Sequence, residues 1–198
     1  MKLLLTRHGE VKNDFSIINL DGNLTLTESG ILQTKKLAEY LKLYKLNLII
    51  SSNLLRCKDT SKIIQDLINV PIVYNPLLNE RNSGDFEGKS KDEINWEGLG
   101  DKIENLCPPN GESFLMVQER AKQFLNYIFN EISQNEIILI VSHEGFLKIF
   151  IGYLLGINIQ DSIFKLKIHE CSLTEIDFDK KYKCGFRINF FNDTHYLN

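Results

Sequence analysis

The stretch Glu136-Ile137-Ile138-Leu139-Ile140-Val141-Ser142-His143-Glu144-Gly145 decides the fold class. Five apolar residues in a row, with no polar alternation, mark a strand covered on both faces, as in a parallel sheet flanked by helices. After it, Gly145–Leu155 is apolar on every side and reads as a buried helix. Before it, from Ser113 to about Ser133, Val117, Ala121, Phe124 and Ile128 recur every three or four residues, the period of an amphipathic helix. Further out, Lys2–Thr6 is a short apolar strand bounded by charge. From Thr27, a suitable N-cap, to about Lys45, a helix places Ile31, Leu37, Ala38, Leu41 and Tyr44 on one face. Leu48–Ser51 is the next strand. Asn53 is placed to cap a helix carrying Cys57, Ile63, Ile64, Leu67 and Ile68, which stops before Pro71, and Ile72–Tyr74 is a third strand. Residues 75–110 hold Gly84, Gly88, Gly98, Gly100, Pro108 and Pro109 and read mostly as loop, with one short helix started by Ser90 and Glu93 in capping-box spacing. Ile163–Ile168, Ser172–Phe178 and Cys184–Phe191 alternate like strands. This succession predicts an α/β fold, a three-layer α/β/α sandwich with a mostly parallel central sheet.

With 198 residues, no internal repeat and no linker, the chain reads as one domain over residues 1–198, with a loop-rich segment at about 75–110 that covers a substrate. A net charge of −3 argues against a nucleic-acid partner. No apolar run approaches the roughly 20 residues that span a membrane. Met1-Lys2-Leu3-Leu4-Leu5 is cut off by Arg7, His8 and Glu10, too early for a secretion signal. Cys57, Cys107, Cys171 and Cys184 form no C-x-x-C pair, so they read as reduced thiols of a cytoplasmic protein, with no metal site implied.

Ligands of open parallel sheets bind beyond the carboxyl ends of the strands. His8 follows the first strand and His143 follows Glu136–Ser142. Arginine is scarce: Arg7, Arg56, Arg81, Arg120 and Arg187 are the whole set, yet Arg7 adjoins His8 and Arg56 lies just past another strand end. Guanidinium suits bidentate phosphate binding, and helix starts near Asn53 and Glu144 add backbone N–H donors. Each residue alone has a bland reading as a structural histidine or a solvated arginine. Four together at strand ends predict a phosphate-binding site, and spacing alone goes no further.

Thr6-Arg7-His8-Gly9-Glu10 resembles the signature of the histidine phosphatase superfamily, which includes the cofactor-dependent phosphoglycerate mutases. Leu26-Thr27-Glu28-Ser29-Gly30, Ser51-Ser52-Asn53-Leu54-Leu55-Arg56 with Thr60, Glu80 with Gly84-Asp85-Phe86-Glu87-Gly88, Pro109-Asn110-Gly111-Glu112-Ser113 with Arg120, and Val141-Ser142-His143-Glu144-Gly145 continue the likeness in order. The resemblance implies a phosphoglycerate mutase-like fold and places the chain nearest the small phosphatase branch. It implies that His8 is the nucleophile that becomes a phosphohistidine, with Arg7, Arg56 and His143 spreading the charge on the phosphoryl oxygens. It implies that Glu80 protonates the leaving alcohol and later activates water. Pairing of Glu80 with Arg81 is the competing reading from spacing. Substrate phosphate is expected at Arg7, Arg56, His143, Glu144, Gly145 and Asn13; the family often has Asn one place later, where this chain has Asp14. Glu170 stands where many members carry Asn. His169 and His195 read as structural or solvated, Cys57 as a packing residue, and Trp96 either as a cover over the substrate or as packing. The expected function is a metal-independent phosphomonoesterase, without cofactor, acting on a small phosphorylated metabolite. A phosphoglycerate mutase is the alternative, and a non-catalytic phospho-ligand binder or protein-interaction module is the third reading.

Overall fold

The computed structural model describes residues 1–12, 17–18, 24–95, 97, 99 and 102–198; Asn13, Asp14 and Trp96 lie outside the described residues. Six strands, β1 (Lys2–Arg7), β2 (Leu48–Ser51), β3 (Ile72–Tyr74), β4 (Ile137–Ser142), β5 (Leu173–Phe178) and β6 (Phe186–Asp193), form one sheet in the order β3-β2-β4-β1-β5-β6. The four strands β3, β2, β4 and β1 run parallel; β5 pairs antiparallel with β1, and β6 pairs antiparallel with β5. The unbroken apolar run of residues 137–141 lies in β4, which is hydrogen-bonded on both sides.

Helices α1 (Glu28–Leu41) and α2 (Leu55–Ile68) cover one face, and α3 (Phe114–Glu131), α4 (Glu144–Leu155) and α5 (Ile159–Lys165) cover the other. Strand alternation divides the core accordingly. Leu3, Leu5, Ile50, Ile138 and Ile140 pack with Val117, Phe124, Phe146 and Phe150, while Leu4, Ile49, Leu139 and Val141 pack with Leu37, Leu41 and Ile64. Each fully buried Leu or Ile stabilises the fold by about 1.5–3 kcal/mol, and the one polar residue of β4, Ser142 at its end, is buried with its hydroxyl donating to the Leu78 carbonyl at 2.7 Å. No helix among the described residues is long and apolar enough to cross a membrane.

Several local expectations change. Ile163–Ile168 is not a strand: residues 159–165 form α5, where Asn158 caps the helix by accepting the Asp161 N–H at 2.8 Å and Ile159 and Ser162 face inward. Gly152 of α4 lies so close to Ser162 that any Cβ there would collide with its hydroxyl, and this contact seats α5. α1 ends at Leu41, and Ile31 is 36% exposed because the buried face runs through Gly30, Thr34, Leu37, Ala38 and Leu41. Asn53 does not cap α2. The N-cap is Leu54, whose N–H is taken by Ser52 Oγ at 3.2 Å. Among the described residues, the segment 75–110 contains four single 3-10 turns, at Pro76–Leu78, Gly84–Phe86, Lys91–Glu93 and Ile103–Asn105, where one short helix was expected.

Candidate active site

Arg7 and Ser142 are register partners at the ends of β1 and β4, so the next residues, His8 and His143, leave the sheet side by side at its carboxyl edge. The His8 N–H donates to the Ser142 carbonyl at 3.0 Å, and the two ring centroids are 5.2 Å apart. Arg56, in the first turn of α2, reaches between the rings. Its Nε lies 3.2 Å from His8 Nε2 and 3.2 Å from His143 Nδ1. His8, Arg56 and His143 are 4%, 4% and 0% exposed.

These contacts set the tautomers. His8 Nδ1 is 2.7 Å from the Gly9 carbonyl oxygen, which can only accept, so Nδ1 carries the proton and Nε2 keeps its lone pair. His143 Nδ1 accepts from Arg56, leaving its Nε2–H to donate to Ser52 Oγ at 2.8 Å. Ser52 donates in turn to Asn79 Oδ1 at 2.9 Å. Burial first, then the Arg56 and Arg7 charges, hold the His8 imidazole well below its ordinary range. Burial, then Arg56, His8 and Arg7, do the same for His143. Cys57 Sγ lies 3.4 Å from His143 Nε2, and burial pushes this thiol up to about 12, so it stays a neutral packing group.

Two neutral imidazoles locked in the folded chain carry a pH cost. Below about pH 6.5 the unfolded chain protonates both rings and the folded chain does not, so acid favours unfolding. The contribution of the two rings is whole well above pH 6.5 and is lost progressively as pH drops through and below it. Urea midpoints between pH 6.5 and 5 are expected to show this decline, and His143→Gln to remove about half of the part these rings contribute. A slope unchanged in His143→Gln would show that ring to be already protonated.

Arg7 is held by its guanidinium nitrogens. Its Nη1 donates to Glu144 Oε2 at 3.0 Å and to the Ile168 carbonyl at 3.1 Å, and its Nη2 pairs with Glu170 Oε1 at 2.8 Å. Among the described residues, Arg7 Nε is the buried side-chain polar atom without a hydrogen-bond partner. Glu144 also pairs with Lys148 at 2.7 Å. The Glu80 carboxylate sits on the start of α4, accepting the N–H groups of Gly145 at 3.0 Å and Phe146 at 3.2 Å, and that of Arg81 at 2.9 Å. A side chain on Gly145 would run into this carboxylate, which explains the glycine. The Arg81 guanidinium donates to the Glu112 carbonyl at 3.0 Å and stacks on the Phe114 ring, so the Glu80–Arg81 ion pair favoured by spacing does not form.

Arg7, His8, Arg56, Glu80, Glu144 and Gly145 line one cavity of about 380 Å³, with His143 directly behind Arg56. Its volume lies within the range of small-molecule sites, roughly 300–1,000 Å³. Of the expected site residues, Asn13 alone falls outside the described residues. His169 is exposed, and His195 pairs with Asp193 at the surface.

Sequence reasoning gave no role to the Gly9 carbonyl, to Ser52 and Asn79 behind His143, or to Arg120. From α3, Arg120 grips both Glu112 carboxylate oxygens, at 2.7 and 2.8 Å, and the carbonyls of Leu77 at 2.7 Å and Asn79 at 3.1 Å. It thereby fixes the segment that ends in Glu80. Its place in a Glu112–Arg120 spacing was the available signal; a backbone oxygen leaves none.

The family model for the histidine phosphatase superfamily (branch 1) matches residues 3–194. The chain is 27% identical over 194 residues to the adenosylcobalamin/alpha-ribazole phosphatase of Escherichia coli, covering 92% of each chain. It is 31% identical over 179 residues to the phosphoglycerate mutase of Schizosaccharomyces pombe, covering 84% of each. The crystal structure of the alpha-ribazole phosphatase from Shigella flexneri superposes with a TM-score of 0.86 at 26% identity, covering 98% of this chain and 97% of that one. A match running nearly end to end, on a sheet edge that pairs two neutral histidines with arginines, means that the chain belongs to branch 1 of the histidine phosphatase superfamily and is an enzyme of phosphoryl chemistry.

Proposed function

We propose that this phosphatase hydrolyses a small phosphomonoester in two steps, with His8 as nucleophile and Glu80 as the proton carrier. One observation carries the assignment: His8 lines the cavity, its Nδ1 proton is tied to the Gly9 carbonyl, and its Nε2 keeps a lone pair, which the Arg56 Nε–H meets at 3.2 Å until a phosphoryl group draws that donor away. Glu80 enters the first step as the protonated acid: Nε2 forms a bond to phosphorus, the P–O ester bond breaks, and the leaving oxygen takes the Glu80 proton, leaving the carboxylate. The ring gains positive charge as it accepts phosphorus, and the Gly9 carbonyl on Nδ1 offsets that charge. In the second step water attacks phosphorus, Glu80 takes back a proton, the P–N bond breaks, and Nε2 regains its lone pair.

Phosphoryl transfer asks for positioning and charge neutralisation more than for covalent help. Arg56 and the unpartnered Arg7 Nε–H are donors for the phosphoryl oxygens, joined by the Gly145 end of α4. This chemistry runs without a metal. The family match from residue 3 to residue 194 supports one domain, and four free cysteines support a cytoplasmic setting. Mutase activity is the second reading, favoured by the likeness to the Schizosaccharomyces pombe enzyme.

The test combines turnover with trapping. With EDTA present, p-nitrophenyl phosphate should be hydrolysed, and rapid acid-free quenching with phosphorus-labelled ester should trap an acid-labile phosphoprotein. Conversion of 3-phosphoglycerate without hydrolysis would move the assignment to the mutase. Neither activity would leave a phosphate binder.

A further inference from the structure

Resting on the phosphatase reading, we propose that the alcohol portion of the substrate is an apolar, ring-sized group carrying no second anionic charge. The cavity has two chemically distinct parts. The inner part is His8, Arg7, Arg56 and Glu80. The rest of the wall includes Val11, Ile17, Ile18, Leu24, Phe114 and Ile163, half-buried side chains delivered by the segment after β1, the start of α3 and the middle of α5. Half-buried apolar side chains drawn from three separate parts of the chain around one opening gain most when a ligand covers them.

Among the described residues, the cations on this part of the wall are engaged. Lys148 is ion-paired to Glu144 at 2.7 Å, and Arg81 is stacked on Phe114, 4.4 Å from the ring centroid, while donating to the Glu112 carbonyl. The Glu144 carboxylate is itself part of the wall. A second phosphate or a carboxylate on the substrate would have to break these contacts and face that carboxylate. An apolar ring would cover Phe114 and the aliphatic wall at no such cost. After the phosphoryl group, a cavity of about 380 Å³ leaves space for a body of this size.

Three alkyl esters test this without a bias from leaving-group acidity: ethyl phosphate, 2-phenylethyl phosphate and 3-phosphoglycerate. The phenylethyl ester is expected to exceed the ethyl ester in kcat/KM by at least about tenfold, mostly through KM, and 3-phosphoglycerate to be no better than ethyl phosphate. Ile163→Ser and Ile17→Ser are each expected to shrink the phenylethyl-to-ethyl ratio by about threefold or more. That ratio is independent of the fraction of protein folded, so a destabilised variant still reports. Equal rates for the ethyl and phenylethyl esters, a preference for 3-phosphoglycerate, or ratios unmoved in both variants would overturn the inference. In each of those cases His8-dependent hydrolysis would still stand. Loss of all His8-dependent turnover would remove both readings together.

Discussion

His8→Ala is expected to lower kcat/KM for p-nitrophenyl phosphate by about 10⁴-fold or more. The substitution removes the one atom able to form the P–N bond and leaves the rest of the cradle in place. The backbone N–H that bridges to Ser142 at 3.0 Å is unaffected, and Arg7 keeps its Glu144 and Glu170 partners. Inorganic phosphate should therefore still protect the variant against thermal unfolding while turnover is gone and no phosphoprotein is trapped. Activity within tenfold of the parent would mean that the phosphoryl group never passes through this ring.

Glu80→Gln is expected to lower kcat/KM for an alkyl phosphate by about 10²–10⁴-fold, the usual contribution of a positioned proton donor. The loss should be at least about tenfold smaller for p-nitrophenyl phosphate, because nitrophenolate departs without needing a proton. The amide oxygen can still accept one of the N–H groups at the start of α4, now received at 3.0 and 3.2 Å, so the side chain stays in place. Inhibition by inorganic phosphate should change little. Equal losses on both esters, or a large loss of phosphate affinity with normal turnover, would exclude Glu80 as the acid and make it a brace for the helix.

The central layer of this fold is legible wherever burial on both faces forces continuous apolar sequence, as in Ile137–Val141 and Leu3–Leu5. The chemistry is legible where it rides on such strands, since His8 and His143 are the first residues beyond the carboxyl ends of β1 and β4. Legibility fails where an element is half-exposed. In residues 163–168 the sequence reads as a strand, yet the Asn158 cap and the close seat at Gly152 make the chain helical through Lys165. Asn53 has the right chemistry for a cap, but Ser52 Oγ reaches the Leu54 N–H instead. The tautomer of His8 is set by a carbonyl that every residue type possesses, so no reading of side chains would have found it. Glu170 stands out in sequence only as a departure from a pattern; its pairing with Arg7 depends on the turn into β5, where Cys171 takes φ +52° and its N–H bonds the Arg7 carbonyl.

The pairing of Arg7 with Ser142 makes catalysis a gauge of topology. A slip of one residue between β1 and β4 would offset the two imidazoles by about 3.3 Å and turn one of them to the opposite side of the sheet. His8 and His143 are supplied by distant parts of the chain and meet only once β1 has threaded between β4 and β5, a slow long-range closure. Helices and hairpins can form earlier in a refolding chain, but turnover must wait for that insertion, so regained activity times the completion of the sheet.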